Sequence, residues 1–160
     1  MKFADFICFE ASIPELGPTD RDGAIEALVN ALCKAGKVKA NSVKEIVRSL
    51  IAREKEASTG IGKGVAIPHI KHASVKQVIG VVGLSQTGID FHSLDKQPVY
   101  TIILLLSPPD LPDQHIQAME WVFRHLQHER FRRFLRQCRT AAQIEDLFKE
   151  ADTRPAWLSG

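Results

Sequence analysis

The chain has 160 residues, of which 44% are hydrophobic and 25% charged, and its formal net charge is +2. That length holds one domain with a substantial core. The composition excludes collagen-like, disordered and membrane-embedded classes, and so small a charge excludes the clustered basic footprint of a dedicated nucleic-acid binder. Val78 to Ile89, the longest apolar stretch without a charge, is shorter than the ~20 residues of a membrane helix, so no span is predicted. Lys2 is followed by Asp5 and Glu10 with no small-residue cleavage site, which is not a secretory signal and makes the cytoplasm the expected compartment. Cys8, Cys33 and Cys138 are far apart and form no CxxC pair. They read as apolar filler rather than as a disulfide framework or a thiolate zinc site.

Taken in chain order, Phe3 to Phe9 alternates weakly between apolar and polar residues and is predicted as a short strand. Thr19 with Asp22 has the form of a capping box, and Ile25, Leu28, Val29 and Leu32 recur at helical spacing until Gly36 offers a left-handed stop. Ser42 with Glu45 repeats the capping signature ahead of an apolar stripe of Val43, Ile46, Val47, Leu50 and Ile51, a second helix running to about Glu54. The string ASTGIGKG from Ala57 to Gly64 predicts an irregular loop with positive-φ positions. Val65 to Pro68 then delivers His69 at a constrained strand end, the proline fixing the backbone ahead of it.

Gln77 to Leu84 and Val99 to Leu106 are rich in Val, Ile and Leu without polar alternation, the pattern of strands covered on both faces. A turn-rich connection, TGIDFHSLDKQP, separates them. Asp110 as N-cap, with Pro112 and Asp113 in the first turn, starts a helix near residue 111 that carries Ile116, Met119, Val122, Phe123 and Leu126. A basic helical segment spans Glu129 to Arg139, and Thr140 with Gln143 caps a last helix holding Ile144, Leu147 and Phe148. The expected organisation is one domain over residues 1–150 and a C-terminal tail over 151–160. With no internal repeat, the order of elements fits a three-layer α/β domain.

The stretch from Arg53 to His69, REKEASTGIGKGVAIPH, is where the composition stops being generic. Neutral imidazole has a pKa near ~6.5 and an unprotonated ring nitrogen at neutral pH, so a histidine takes up and releases a phosphoryl group without a metal-activated nucleophile. Moving that group is mostly positioning, plus donors aimed at its oxygens. The amides and hydroxyls of Ser58, Thr59, Gly60, Ile61 and Gly62 are donors of that kind. Arg53, at the edge of the second helix's stripe and close to this loop, is a candidate for phosphate stabilisation by charge-assisted hydrogen bonds. His115, about one turn into the third helix and bordering its core face, is the candidate partner of His69.

The string closely resembles the active-site signature of the mannitol/fructose/nitrogen-regulatory type of enzyme IIA of the bacterial sugar phosphotransferase system. That signature joins an Arg-Glu helix end, a Ser-Thr-Gly-Ile-Gly loop and an Ile-Pro-His triplet. The resemblance continues through SLDKQPV, similar to the family's Asp-x-x-Pro-Val element, to the helix bearing His115 in the place of its second histidine. Ile70 and Ala57 stand where the family commonly has glycine, departures that bear on the substrate branch. The resemblance implies a three-layer α/β/α sandwich with a central mixed sheet. It also implies a phosphohistidine carrier in which a phosphocarrier (HPr-like) protein donates to His69, His115 orients the phosphorylated ring, and an enzyme IIB accepts the group. No cofactor is implied. The alternative branch is a nitrogen-type regulatory module whose phosphorylation state controls a transporter or kinase.

Blander readings stand beside these. Arg53 also suits a helix-end cation bonding to C-terminal carbonyls, His115 a satisfied histidine at a helix edge, and the glycines of the loop plain turn geometry. Arg130, Arg132, Arg133, Arg136 and Arg139 suit either a solvated helix face or a partner surface. A more distant class is an anion-binding scaffold, or a metal-dependent hydrolase using His69, His72 and His115. HIKH without carboxylate or cysteine companions at ligand spacing argues against metal, and none is predicted.

Overall fold

A computed structural model of the chain describes residues 1–153. Its centre is strand β5 (Val99–Ser107), paired antiparallel along one side with β4 (Ile79–Ile89). Along the other side run two short strands parallel to it: β2 (Val65–Ala66), opposite Thr101 and Ile102, and β3 (His69–Lys71), opposite Leu105 to Ser107. β1 (Gly60–Gly62) pairs antiparallel with β2 and completes a mixed sheet. A strand buried on both faces calls for a run of apolar side chains, and β5 supplies one from Ile102 to Leu106. Ile102, Leu104 and Leu106 pack into one core, Ile103 and Leu105 into the other, and all five are fully buried.

The first core is covered by α2 (Arg21–Lys34) and α3 (Val43–Glu56). The second is covered by α4 (Pro112–Leu126), α5 (Glu129–Gln137) and α6 (Ala141–Thr153). Helices on both faces of a mixed sheet make the three-layer α/β/α sandwich. Burying one such Ile or Leu side chain stabilises the fold by about 1.5–3 kcal/mol, so the alternation along β5 strongly specifies its register. Among the described residues no helix is long and apolar enough to cross a membrane.

Where the structure departs from the sequence-based expectations, tertiary contacts are the reason. Phe3 to Phe9 is not a strand: it forms a four-residue helix, α1 (Phe3–Phe6), followed by a 3-10 turn at Phe9–Ala11. The Asp152 carboxylate, from the far end of the chain, accepts hydrogen bonds from the amides of Phe3 (2.7 Å) and Ala4 (2.8 Å) and so caps this turn. The segment still lies along the outer edge of β4, through isolated bridges at Ile7 and Ile13. The capping boxes expected at the starts of α2 and α3 are absent: Asp20 and Ser42 occupy the N-cap positions without side-chain bonds. Leu111 rather than Asp110 precedes α4. Thr140 does act as expected, its hydroxyl accepting from the Gln143 amide at 3.1 Å. The Ala57–Gly64 segment contains β1 and the turn of the β1–β2 hairpin, which runs through positive φ at Gly62 (98°), Lys63 (60°) and Gly64 (77°), as expected from its glycines. The expected tail overlaps α6, since Ala151 and Asp152 are buried in that helix; residues 154–160 lie outside those described.

Candidate functional site

Two histidines far apart in sequence meet at the C-terminal end of β5. Parallel pairing sets His69, the first residue of β3, beside Leu105, and the Leu105 amide donates to the Pro68 carbonyl at 2.9 Å. After β5 the chain turns through Pro108 and Pro109 into α4, with Pro112 in its first turn, and this carries His115 back over the strand end. The two half-buried rings lie 5.7 Å apart between centroids, tilted by 40°.

Each ring is held through its Nδ1. The His69 Nδ1 is 2.7 Å from the Ile67 carbonyl. A carbonyl only accepts, so this nitrogen carries a proton, and in the neutral ring it is Nε2 that has the lone pair. The His115 Nδ1 is 2.6 Å from the Ser107 hydroxyl at the end of β5. Burial, and then the neighbouring charges of His69 and Lys71, hold the His115 pKa below the ordinary histidine value, so this ring is neutral at neutral pH. The pair therefore presents one nucleophilic nitrogen beside a neutral imidazole with hydrogen-bonding capacity.

The loop residues singled out from sequence make hydrogen bonds of their own. The Ser58 hydroxyl donates to the Phe91 carbonyl (3.2 Å) and accepts from the Gly60 amide (3.0 Å). The Thr59 amide (2.9 Å) and hydroxyl both donate to the carboxylate of Glu54, which is 2% exposed. Both hydroxyls and two of the five loop amides thus hold the loop itself. Gly60 abuts Ser93, Gly62 supplies a positive φ, and Ile61 is exposed. Arg53 donates to the Ala57 carbonyl (3.0 Å), the helix-end role, with one of its five donors. Among the described residues it bonds to neither histidine.

His72 belongs to a separate local cluster, its Nδ1 on Ser74 (2.7 Å) and its Nε2 on Glu45 (3.2 Å). Among the described residues no three His, Cys, Asp or Glu side chains gather as metal ligands. The arginine-rich segment has structural duties in part: Arg132 donates to the Leu126 and Gln127 carbonyls at the end of α4, and Arg136 lies 3.8 Å over the Tyr100 ring.

Two site residues escaped the sequence reading. Ser107 looked like a strand terminus, and its link to His115 exists only in three dimensions. Glu54 did leave a signal: it stands at i+4 from Leu50 and i+8 from Ile46, a carboxylate on an apolar stripe.

Residues 11–151 match the family model described as "Phosphoenolpyruvate-dependent sugar phosphotransferase system, EIIA 2". A fructose-specific EIIA component of Haloferax volcanii is 32% identical over 133 residues, covering 83% of this chain and 85% of that one. A nitrogen regulatory protein of Bradyrhizobium diazoefficiens is 31% identical over 144 residues, covering 90% and 92%. The chain spans 21% of a fructose-specific EIIABC component of Bacillus subtilis. Among solved structures, the nitrogen regulatory protein IIA-Ntr of Neisseria meningitidis superposes with a TM-score of 0.81 at 24% identity, over 91% of this chain and 98% of that one. Enzyme IIA mannitol of Escherichia coli, solved in complex with phosphorylated enzyme IIB mannitol, gives 0.72 at 19% identity, over 88% and 94%.

Proposed function

The chain belongs to the EIIA 2 family of the phosphoenolpyruvate-dependent sugar phosphotransferase system, and on that premise we propose that it carries a phosphoryl group on His69 Nε2. The observation behind this assignment is the Nδ1–H bond from His69 to the Ile67 carbonyl, which leaves Nε2 as the free nucleophile. A phosphocarrier protein is the donor: its nitrogen–phosphorus bond breaks, the pair of electrons returns to the donor imidazole, and the new bond forms at Nε2. The phosphorylated His69 ring then carries positive charge, which the bond to Ile67 stabilises. The neutral His115, held by Ser107, hydrogen-bonds the phosphoryl oxygens or the ring and sets the direction of release. Arg53 turns its remaining donors to the oxygens when the group arrives. An enzyme IIB takes the group onward, a reading supported by the complex seen for the mannitol enzyme IIA. The transfer calls for no cofactor, and the reaction belongs in the cytoplasm.

A regulatory branch is the second reading, in which the phosphorylated and free forms bind a transporter or kinase differently. It is favoured by the match along 92% of a nitrogen regulatory protein. Incubation with charged phosphocarrier and mapping of the phosphosite under neutral conditions tests the shared step. A single site at His69, lost in His69→Ala, is the expected result, and phosphate on His115 would reverse the assignment. Onward transfer to an enzyme IIB then separates the two branches.

A further inference from the structure

We propose that Glu54 is a positioning residue for His69: its buried carboxylate holds Thr59 and, through Thr59 and Ile67, selects which nitrogen of the His69 ring carries the proton. A carboxylate is costly to bury unless its oxygens are hydrogen-bonded. Glu54 is 2% exposed, on the α3 stripe that Ile46 and Leu50 share. Both of its oxygens are used on one residue, Oε2 accepting from the Thr59 amide at 2.9 Å and Oε1 from the Thr59 hydroxyl. The Thr59 carbonyl in turn accepts from the Ile67 amide at 3.3 Å, and the Ile67 carbonyl accepts from His69 Nδ1 at 2.7 Å. Pro68 lies between these last two residues and has no amide hydrogen to donate. The Ile67–Pro68–His69 stretch is therefore tied from two sides, by Leu105 of β5 at the Pro68 carbonyl and by Glu54 through Thr59 at the Ile67 amide.

The direction of the Ile67 carbonyl is what makes Nδ1 the protonated nitrogen, and the tie at the Ile67 amide fixes the adjoining peptide on which that direction depends. Without the tie to Thr59 the Ile67 backbone gains rotational freedom, and the ring populates the tautomer with the proton on Nε2, which then has no lone pair for phosphorus. The effect on transfer rests on the proposed role of His69 as acceptor; the effect on the tautomer does not.

Nitrogen-15 NMR of histidine-labelled, unphosphorylated protein reads the His69 tautomer directly, and transfer from charged phosphocarrier is measured on the same samples. Wild type is expected to show Nδ1–H alone. Glu54→Gln, which keeps an acceptor for the Thr59 amide, should retain that tautomer. Glu54→Leu should show a mixture and a kcat lower by about tenfold, with KM for the phosphocarrier unchanged. Thr59→Val, which removes one of the two bonds, should fall between them and serves if Glu54→Leu does not fold. A folded Glu54→Leu, or failing that a folded Thr59→Val, with the wild-type tautomer and kcat overturns the proposal. A mixed tautomer in a protein whose wild type takes no label on His69 upholds the positioning role and overturns the carrier reading instead.

Discussion

His115, Ser107, Arg53 and His125 each owe their chemistry to one or two neighbours. His115→Ala is expected to accept phosphate at His69 but to pass it on poorly, measured as label transferred to an enzyme IIB. Ser107→Ala should shift transfer the same way by a smaller factor, since it removes only the tether of the His115 ring. Arg53→Lys should fold and transfer more slowly, because a point charge does not replace a fork that bonds Ala57 and, on the proposed reading, a phosphate as well; unchanged kinetics would remove Arg53 from the site. His125 is a different case. It is fully buried among the rings of Phe3, Trp121 and Phe131, at 4.6–5.5 Å between centroids, and neither nitrogen has a hydrogen-bond partner among the described residues. Burial, outweighing the opposing charge of Asp152, lowers its pKa from 6.5 to about 4. The unfolded chain then binds more protons than the folded one between these values, so stability present above pH 6.5 is lost as pH falls toward about 4. Urea unfolding at about pH 7 and about pH 4.5 should show a loss of which His125→Leu removes about 2–3 kcal/mol. Equal acid sensitivity in the variant contradicts this. His69 and Arg53 stand out in the sequence because they sit in a motif, whereas the surroundings of Ser107 and His125 were not legible, because they come from burial and from neighbours distant in sequence.

The elements that periodicity resolves were the ones that sequence located. α2, α3, α4 and α6 each run for 13 to 15 residues with an apolar stripe, long enough for a 3.6-residue period to stand out. β4 and β5 announced themselves by unbroken apolar runs. The N-terminal segment was misread because its helical turn is capped by Asp152, 149 residues from Phe3. Strand β1 lies within the segment read as an irregular loop, because a strand of three residues carries no period, and the glycines that supply the expected positive φ also permit a tight turn. That hairpin is under close steric constraint. A Cβ on Gly60 would collide with the Ser93 side chain and lie 3.0 Å from the Ser93 Cα. Gly60→Ala should therefore destabilise the protein by about 1–3 kcal/mol and displace the Thr59 carbonyl that holds Ile67, with urea unfolding as the measurement. A variant as stable as wild type would show that the Ser93 loop yields at no cost.

At the scale of the molecule, the sheet is a frame that brings the end of one crossover against the start of a helix. β3 lies parallel to β5 although β4 intervenes in sequence, so the strand start at His69 and the helix start near His115 reach the same end of the sheet. Three layers were legible from the order of elements. The meeting of the two histidines was not, because it depends on which side of β5 accepts the short strands, and no local pattern encodes that choice. The proposed carrier role has the phosphoryl group held through nitrogen and fixed donors, and it predicts transfer without a divalent ion in the step itself. The measurement that bears most directly on this account begins with radiolabelled phosphocarrier, charged and then freed of its own enzyme and metal. It is mixed with wild-type protein in excess chelator, and the phosphorylated nitrogen is identified by phosphorus–nitrogen coupling in nitrogen-15-labelled protein. Label on His69 Nε2, acid-labile and stable to mild base, and its absence from folded His69→Ala, is the result expected. Transfer that stops in chelator, label on Nδ1 or on His115, or undiminished labelling of folded His69→Ala would contradict it.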